Sequence, residues 1–187
     1  MSRRRYLFDP PERFVAGTVG QPGDRTFFLQ ARDGPRVVSI VLEKVQVAVL
    51  ADRLGELLSE LERRGVAAAA AAAKAAGDDT GPLDEPLNEA FRAGSLTLGW
   101  DGEAERVLVE ARAQSEDGEP IDPDEDDDED EDGPDLLRVR ITADAARSFV
   151  TRASRVIAAG RPPCPLCGAP LDPQGHICPR RNGHYVN

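Results

Sequence analysis

Aromatic residues make up only 5% of the chain, so its core must be built mainly from Ala, Val and Leu. No apolar run approaches the ~18 residues that a membrane-spanning helix needs. The basic start, Met1-Ser-Arg-Arg-Arg-Tyr6, has no apolar stretch behind it and does not read as a secretory signal. A cytoplasmic protein without a membrane partner is expected. Histidine is almost missing: His176 and His184 both lie in the tail, so the body offers no imidazole as a general base. Neither Gly17-Thr-Val-Gly20 nor the stretch from Gly94 to Gly102 has dinucleotide or P-loop spacing. No serine stands in a nucleophile elbow. The expectation is therefore of a protein that is not an enzyme. Cysteine is scarce too, and its three copies all fall between Cys164 and Cys178. Such clustering suits a metal site in a reducing compartment better than a disulfide framework.

What is abundant is acid, in one place. The net charge is −11, yet residues 116–135 hold fourteen acids and no base, and taking those away leaves +3. The folded body is thus mildly basic, and the acidic composition does not exclude an anionic partner. Like charges at that density repel and cannot pack, so residues 116–135 are expected to form a disordered loop.

Hydrophobic alternation marks strands at Phe14–Val19, Arg25–Arg32 and Arg36–Leu42, with turn residues between them. The period then lengthens. Val47, Leu50, Leu54, Leu57 or Leu58, and Leu61 recur at three- and four-residue steps, which predicts a helix from about Glu43 to Arg64, stopped by Gly65. The order then repeats. Ser95–Trp100 and Arg106–Arg112 read as a hairpin around Asp101-Gly102, Leu136–Ile141 as a third strand, and Thr142 as the N-cap of a helix carrying Ala145, Phe149, Ala153 and Val156 or Ile157. Phe14-Val-Ala-Gly-Thr18 echoes Phe91-Arg-Ala-Gly-Ser95. The expected fold is α+β: two repeated antiparallel strand-strand-strand-helix units and a small C-terminal zinc knuckle. The body spans 1–160, with a first unit 1–65, a linker 66–90 that includes the alanine run, and a second unit 91–160; the knuckle spans 161–187. Trp100, at a strand end, is expected in the core or at its rim.

The chemistry concentrates in Cys164-Pro-Leu-Cys167-Gly168 and the later Gly175-His176-Ile-Cys178. Two thiolates three residues apart can reach one metal when the chain turns tightly, and a glycine after the second permits a positive φ. A closed structural zinc site takes four ligands. Cys164, Cys167 and Cys178 are three of them. His176 is favoured over His184 as the fourth, because His176 and Cys178 share one face of an extended segment. With no His-Glu-x-x-His and no Glu beside the ligands, the zinc is expected to be structural rather than catalytic.

Arg5-Tyr-Leu-Phe-Asp-Pro10, Ala16-Gly-Thr-Val-Gly20, Thr26-Phe-Phe-Leu-Gln-Ala31 and the tail from Gly160 to Pro179 resemble a family of actinobacterial conserved hypothetical proteins. The resemblance covers most of the chain apart from the alanine and acidic segments. It implies a cytoplasmic protein of unassigned activity, and its recurrent G-H-x-C step adds to the case for His176. It also implies genomic neighbours of histidine-phosphatase-like and lipid-kinase-like type.

Three functions fit these observations. The first is an interaction or regulatory protein in which the zinc tail and an exposed sheet dock a protein partner. The runner-up is a single-stranded nucleic-acid-binding module, architecturally similar to purine-rich-element and Whirly-type sheets. Its cations would come from Arg3-Arg-Arg5, Arg161, Arg180 and Arg181, and an outward Phe27 or Phe28 would provide stacking. An enzyme comes last.

Overall fold

The computed structural model describes residues 3–66, 78–115, 132–169, 171, 178 and 180. Its elements are β1 (Arg5–Phe8), β2 (Arg13–Val19), β3 (Thr26–Asp33), β4 (Arg36–Leu42), α1 (Lys44–Arg63), β5 (Glu89–Asp101), β6 (Arg106–Ala113), β7 (Leu136–Ile141) and α2 (Ala143–Ala158). The seven strands make one sheet in the order β1-β7-β6-β5-β4-β3-β2. Neighbours are antiparallel within β2-β3-β4 and within β5-β6-β7, whereas β4–β5 and β1–β7 are parallel.

The α+β class is as expected, but two separate antiparallel units are not what forms. Three strands and a helix do follow one another twice after β1. The α1 crossover returns β5 to the side of β4 in the parallel sense, so the sheet runs through both halves without a break. A single apolar cluster draws side chains from both halves, including Ala16, Leu29 and Ile40 from one and Ala93, Val109 and Val139 from the other. The short β1 was not foreseen. It adds to the far edge by pairing Arg5 with Leu136 and Phe8 with Val139.

One face of the sheet packs against the helices, for the reason that their periodicity announced. Val47, Leu50, Ala51, Leu54, Leu58 and Leu61 form the buried stripe of α1; Leu57 only packs against it from a half-buried position. The helix stops where Gly65 takes φ +77. On α2 the buried stripe is Ala143, Ala146, Phe149, Arg152 and Ala153, and Phe149 stacks on Phe14 of β2 at 5.0 Å between ring centroids. Trp100 packs half-buried against the same cluster. Thr142 caps α2 as expected, its hydroxyl accepting from the Ala145 N–H at 3.1 Å. Thr142→Ala should cost about 1 kcal/mol. Urea denaturation would read this as a lower midpoint at constant slope; an unmoved midpoint would show that the cap contributes nothing.

The second face is covered as well, at its β2-β3-β4 end. Val15, Phe28 and Val41 point there and are buried, because residues 78–88 of the expected linker lie across it. Leu83 sits so close over Gly17 that a Cβ there would come within 2.6 Å of its side chain. Asp84 donates its N–H to Gln30 Oε1 at 2.8 Å, and Gln30 Nε2 donates to Ser39 Oγ and to the Asp84 carbonyl, both at 2.9 Å. Neither Phe27 nor Phe28 is therefore presented to water. Residues 67–77, which take in the alanine run after Val66, and the acidic residues 116–131 lie outside the described residues. Of the acidic segment, Asp135 is held by Arg4, whose Nε and Nη2 lie 2.9 and 2.7 Å from its carboxylate. No helix among the described residues is long and apolar enough to cross a membrane.

Candidate metal centre

The tail begins where α2 can no longer continue. The Ala159 N–H closes the last turn on the Arg155 carbonyl at 2.9 Å, Gly160 follows, and Pro162-Pro163 has no N–H to extend the helix. The chain then folds back on itself. The Cys164 N–H donates to Ala169 O at 2.7 Å, and the Leu171 N–H to Pro162 O at 2.9 Å. Inside this narrow loop the Gly168 N–H donates to Cys164 O at 2.8 Å, and Gly168 takes φ +74, a conformation that residues with a Cβ resist. The glycine after the second cysteine is there for that turn.

The loop brings Cys164 and Cys167 together, and Cys178 returns to meet them. Their sulfurs all lie within 4.8 Å of one another, and Cys164 Sγ is 3.9 Å from Cys178 Sγ. That separation is about twice a disulfide bond, so the thiols are free. Cys164 and Cys178 are buried and Cys167 is half-buried. The N–H groups of Cys167 and Leu166 point at Cys164 Sγ and hold its thiol below the usual cysteine range. At Cys167 the Ala169 N–H favours the thiolate, but burial and the sulfurs of Cys178 and Cys164 outweigh it and push the thiol up. Three sulfurs gathered within reach of one point are a donor set that could hold a metal ion.

Three of the four expected ligands thus converge. His176, the fourth, and its competitor His184 both lie outside the described residues. Sequence reasoning missed a second constellation, in which Arg152 of α2 bridges the strand edge and the strap at 78–88. Its Nε donates to Ala16 O at 2.7 Å and its Nη1 to Asp79 Oδ1 at 2.7 Å and Asp79 O at 2.9 Å. Arg13 grips the same strap, with Nε 2.7 Å from Asp79 and Nη1 2.6 Å from Asp84. The available signal was Arg152 itself, a charge on the apolar stripe of its helix.

One protein family matches the chain, over residues 6–178, and its description is "Protein of unknown function (DUF3090)". No curated protein and no solved structure matches.

Proposed function

The chain belongs to this family of proteins of unknown function, and from that premise we propose that it is a zinc-stabilised, non-enzymatic cytoplasmic protein that docks a protein partner through its knuckle. The metal is zinc in this reading because sulfurs on one tetrahedral zinc, each bonded at about 2.3 Å, stand about 3.8 Å apart, and Cys164 and Cys178 are already spaced at 3.9 Å. His176 completes the set. A closed site of three thiolates and an imidazole leaves no position for a reacting water, so its work is to hold shape.

The observation that carries the docking proposal is Leu166. It sits between two ligand cysteines, on a loop whose backbone is pinned by hydrogen bonds, and is 49% exposed. An apolar side chain held rigidly in water loses little entropy when a partner covers it. On this reading the full-length protein should retain a stoichiometric, nuclease-resistant partner from native lysate, and Leu166→Asp should release it while keeping its metal. Retention unchanged in Leu166→Asp would remove the knuckle from the interface.

A second reading, single-stranded nucleic-acid binding, has one observation in its favour. Register places Arg5, Arg112, Arg138 and Arg140 on the same face of the β1-β7-β6 end of the sheet. The Glu110 carboxylate sits among them, 3.1 Å from Arg112 and ion-paired to Arg138. Salt-sensitive retention on single-stranded DNA, lost in Arg140→Ala, is what this reading requires. The recurrence of Phe14 and Ala16 as Phe91 and Ala93, in the first strand of each half and buried in both, also supports a proposal that the body arose by tandem duplication.

A further inference from the structure

The three sulfurs of the knuckle differ in their access to solvent and in what holds them. Cys164 and Cys178 are 6% and 5% exposed, whereas Cys167 is only half-buried, so a reagent in solution reaches Cys167 first. Cys164 Sγ is fixed inside the loop by the N–H groups of Cys167 and Leu166. Cys178 comes back from fourteen residues beyond Cys164. Among the described residues its sulfur meets the other two sulfurs and no backbone N–H. All three lie within 4.8 Å of one another, a gap that rotation of the side chains about their Cβ atoms can close to a bond. Cys164 and Cys178 also stand outside the apolar cluster of the body, so the knuckle can rearrange without opening the core.

An accessible thiol with a second thiol in reach is the arrangement that oxidants convert to a disulfide. A thiol oxidised alone continues toward sulfinic acid, whereas one beside a resolving thiol is trapped in a form that reductants restore. We propose that the knuckle is an oxidant-sensitive switch, in which Cys167 receives a hydroperoxide and Cys178 resolves it as a Cys167–Cys178 disulfide. The Cys167 sulfur attacks the O–O bond and takes one oxygen as a sulfenic acid, while the other oxygen leaves as water or alcohol. The Cys178 sulfur then attacks the Cys167 sulfur, the S–OH bond breaks, and that oxygen leaves as water. The two thiols give up two electrons and two protons, and the peroxide takes both. Cys178 resolves rather than Cys164, because two N–H groups hold Cys164 Sγ in place and sulfur alone holds Cys178 Sγ.

The bond withdraws two of the thiolates assigned to zinc. Cys164 and His176 alone do not close a tetrahedral site, so the ion leaves. Leu166 adjoins Cys167 in the chain, and the loop that presents it turns with the new bond. Release of the metal and of a partner rests on the proposal that the knuckle binds zinc and docks through Leu166; the disulfide itself does not.

Hydrogen peroxide added to the metal-loaded full-length protein tests it. Remaining thiols are blocked with iodoacetamide, and the chain is cut without reduction by trypsin and an aspartate-specific protease. Cleavage before Asp172 separates Cys164 and Cys167 from Cys178. Mass spectrometry should find the two peptides joined, with the alkyl label on Cys164, and one zinc ion should reach a chromogenic chelator per disulfide formed. Dithiothreitol should part the peptides and let added zinc rebind. In Cys167→Ser, Cys164 and Cys178 should still be thiols when the unaltered protein is fully oxidised. Intact thiols under peroxide that oxidises free cysteine would overturn the proposal. So would a disulfide from Cys164 to either neighbour, sulfinic acid as the product, or zinc that stays bound after the disulfide forms. Purified protein that carries no zinc yet forms the Cys167–Cys178 bond would support the disulfide and end the zinc reading alone.

Discussion

Cys164→Ser should reduce the zinc content from about one ion per chain to nearly none, read by metal analysis of the purified protein. Structural zinc in small knuckles is worth on the order of 10–16 kcal/mol of apparent binding free energy at neutral pH, and a site stripped of one thiolate cannot hold the ion through dialysis. The loss should stay local. Cys164 and Cys178 are buried, yet neither belongs to the apolar cluster that unites the two halves of the body. The melting temperature of the body should therefore move by no more than a few degrees, while amide protection around Cys164 to Ala169 disappears. Zinc retained at full stoichiometry in Cys164→Ser would end the proposed ligand set. A cooperative collapse of the whole fold would show that the knuckle and body are one unit. The histidine is decided the same way: His176→Ala should lose metal and His184→Ala should keep it, and the reverse result would exchange their roles.

Much of the cysteine cluster could be read before any coordinates, because a Cys-x-x-Cys turn is written in local spacing. A Cys-x-x-Cys-Gly turn must close on itself wherever it occurs, and Gly168 does so with the positive φ that its position required. The helices were legible for a similar reason, since Val47, Leu50, Leu54 and Leu61 carry their period within one segment. What depended on distant partners was not legible. Four residues, Arg5–Phe8, are too few to show alternation, and β1 exists only because β7 offers an edge. Alternation within a strand says nothing of its neighbour, so the parallel β4–β5 contact that fuses the halves left no local mark. Phe27-Phe28-Leu29 was the clue that both faces of the sheet are covered, since a continuous apolar run suits a strand buried on two sides. The covering segment hid in a stretch that reads as linker. Its hold comes from Asp79, Asp84 and a few hydrogen bonds, which have no periodicity to betray them.

That hold leads to the largest effect expected in the body. Arg152 is 5% exposed and joins three pieces at one point: the β2 edge through Ala16 O, the strap through Asp79, and the stripe of α2 from which it projects. Burial pulls its guanidinium below the ordinary arginine value, and Asp79 pushes back. Arg152→Met would fill similar space but leave the Ala16 carbonyl without the Arg152 donor, and Asp79 with Arg13 and the Gly81 N–H. Breaking a buried pair costs about 3–5 kcal/mol, and the 30% exposure of the Asp79 side chain argues for the lower end. A loss of about 3 kcal/mol lowers the melting temperature of a domain this size by roughly 6–12 °C. Arg152→Lys should recover part of it, since one ammonium cannot span both acceptors as the guanidinium fork does. The same network sets the acid limit of stability. Arg13 first, and Arg152 after it, hold the Asp79 carboxyl below its ordinary value. A depressed folded value means that the ion pair stabilises fully above the unfolded aspartate value near 3.9, and that this stability drains away as pH falls through the lower folded one. Urea midpoints measured downward from pH 6 should therefore fall more steeply below about pH 4 in the unaltered protein than in Asp79→Asn, which starts less stable but has no such proton to bind. Parallel acid limbs in the two proteins, or an Arg152→Met midpoint indistinguishable from that of the unaltered chain, would show that the strap is held by Leu83 and Gln30 rather than by these charges.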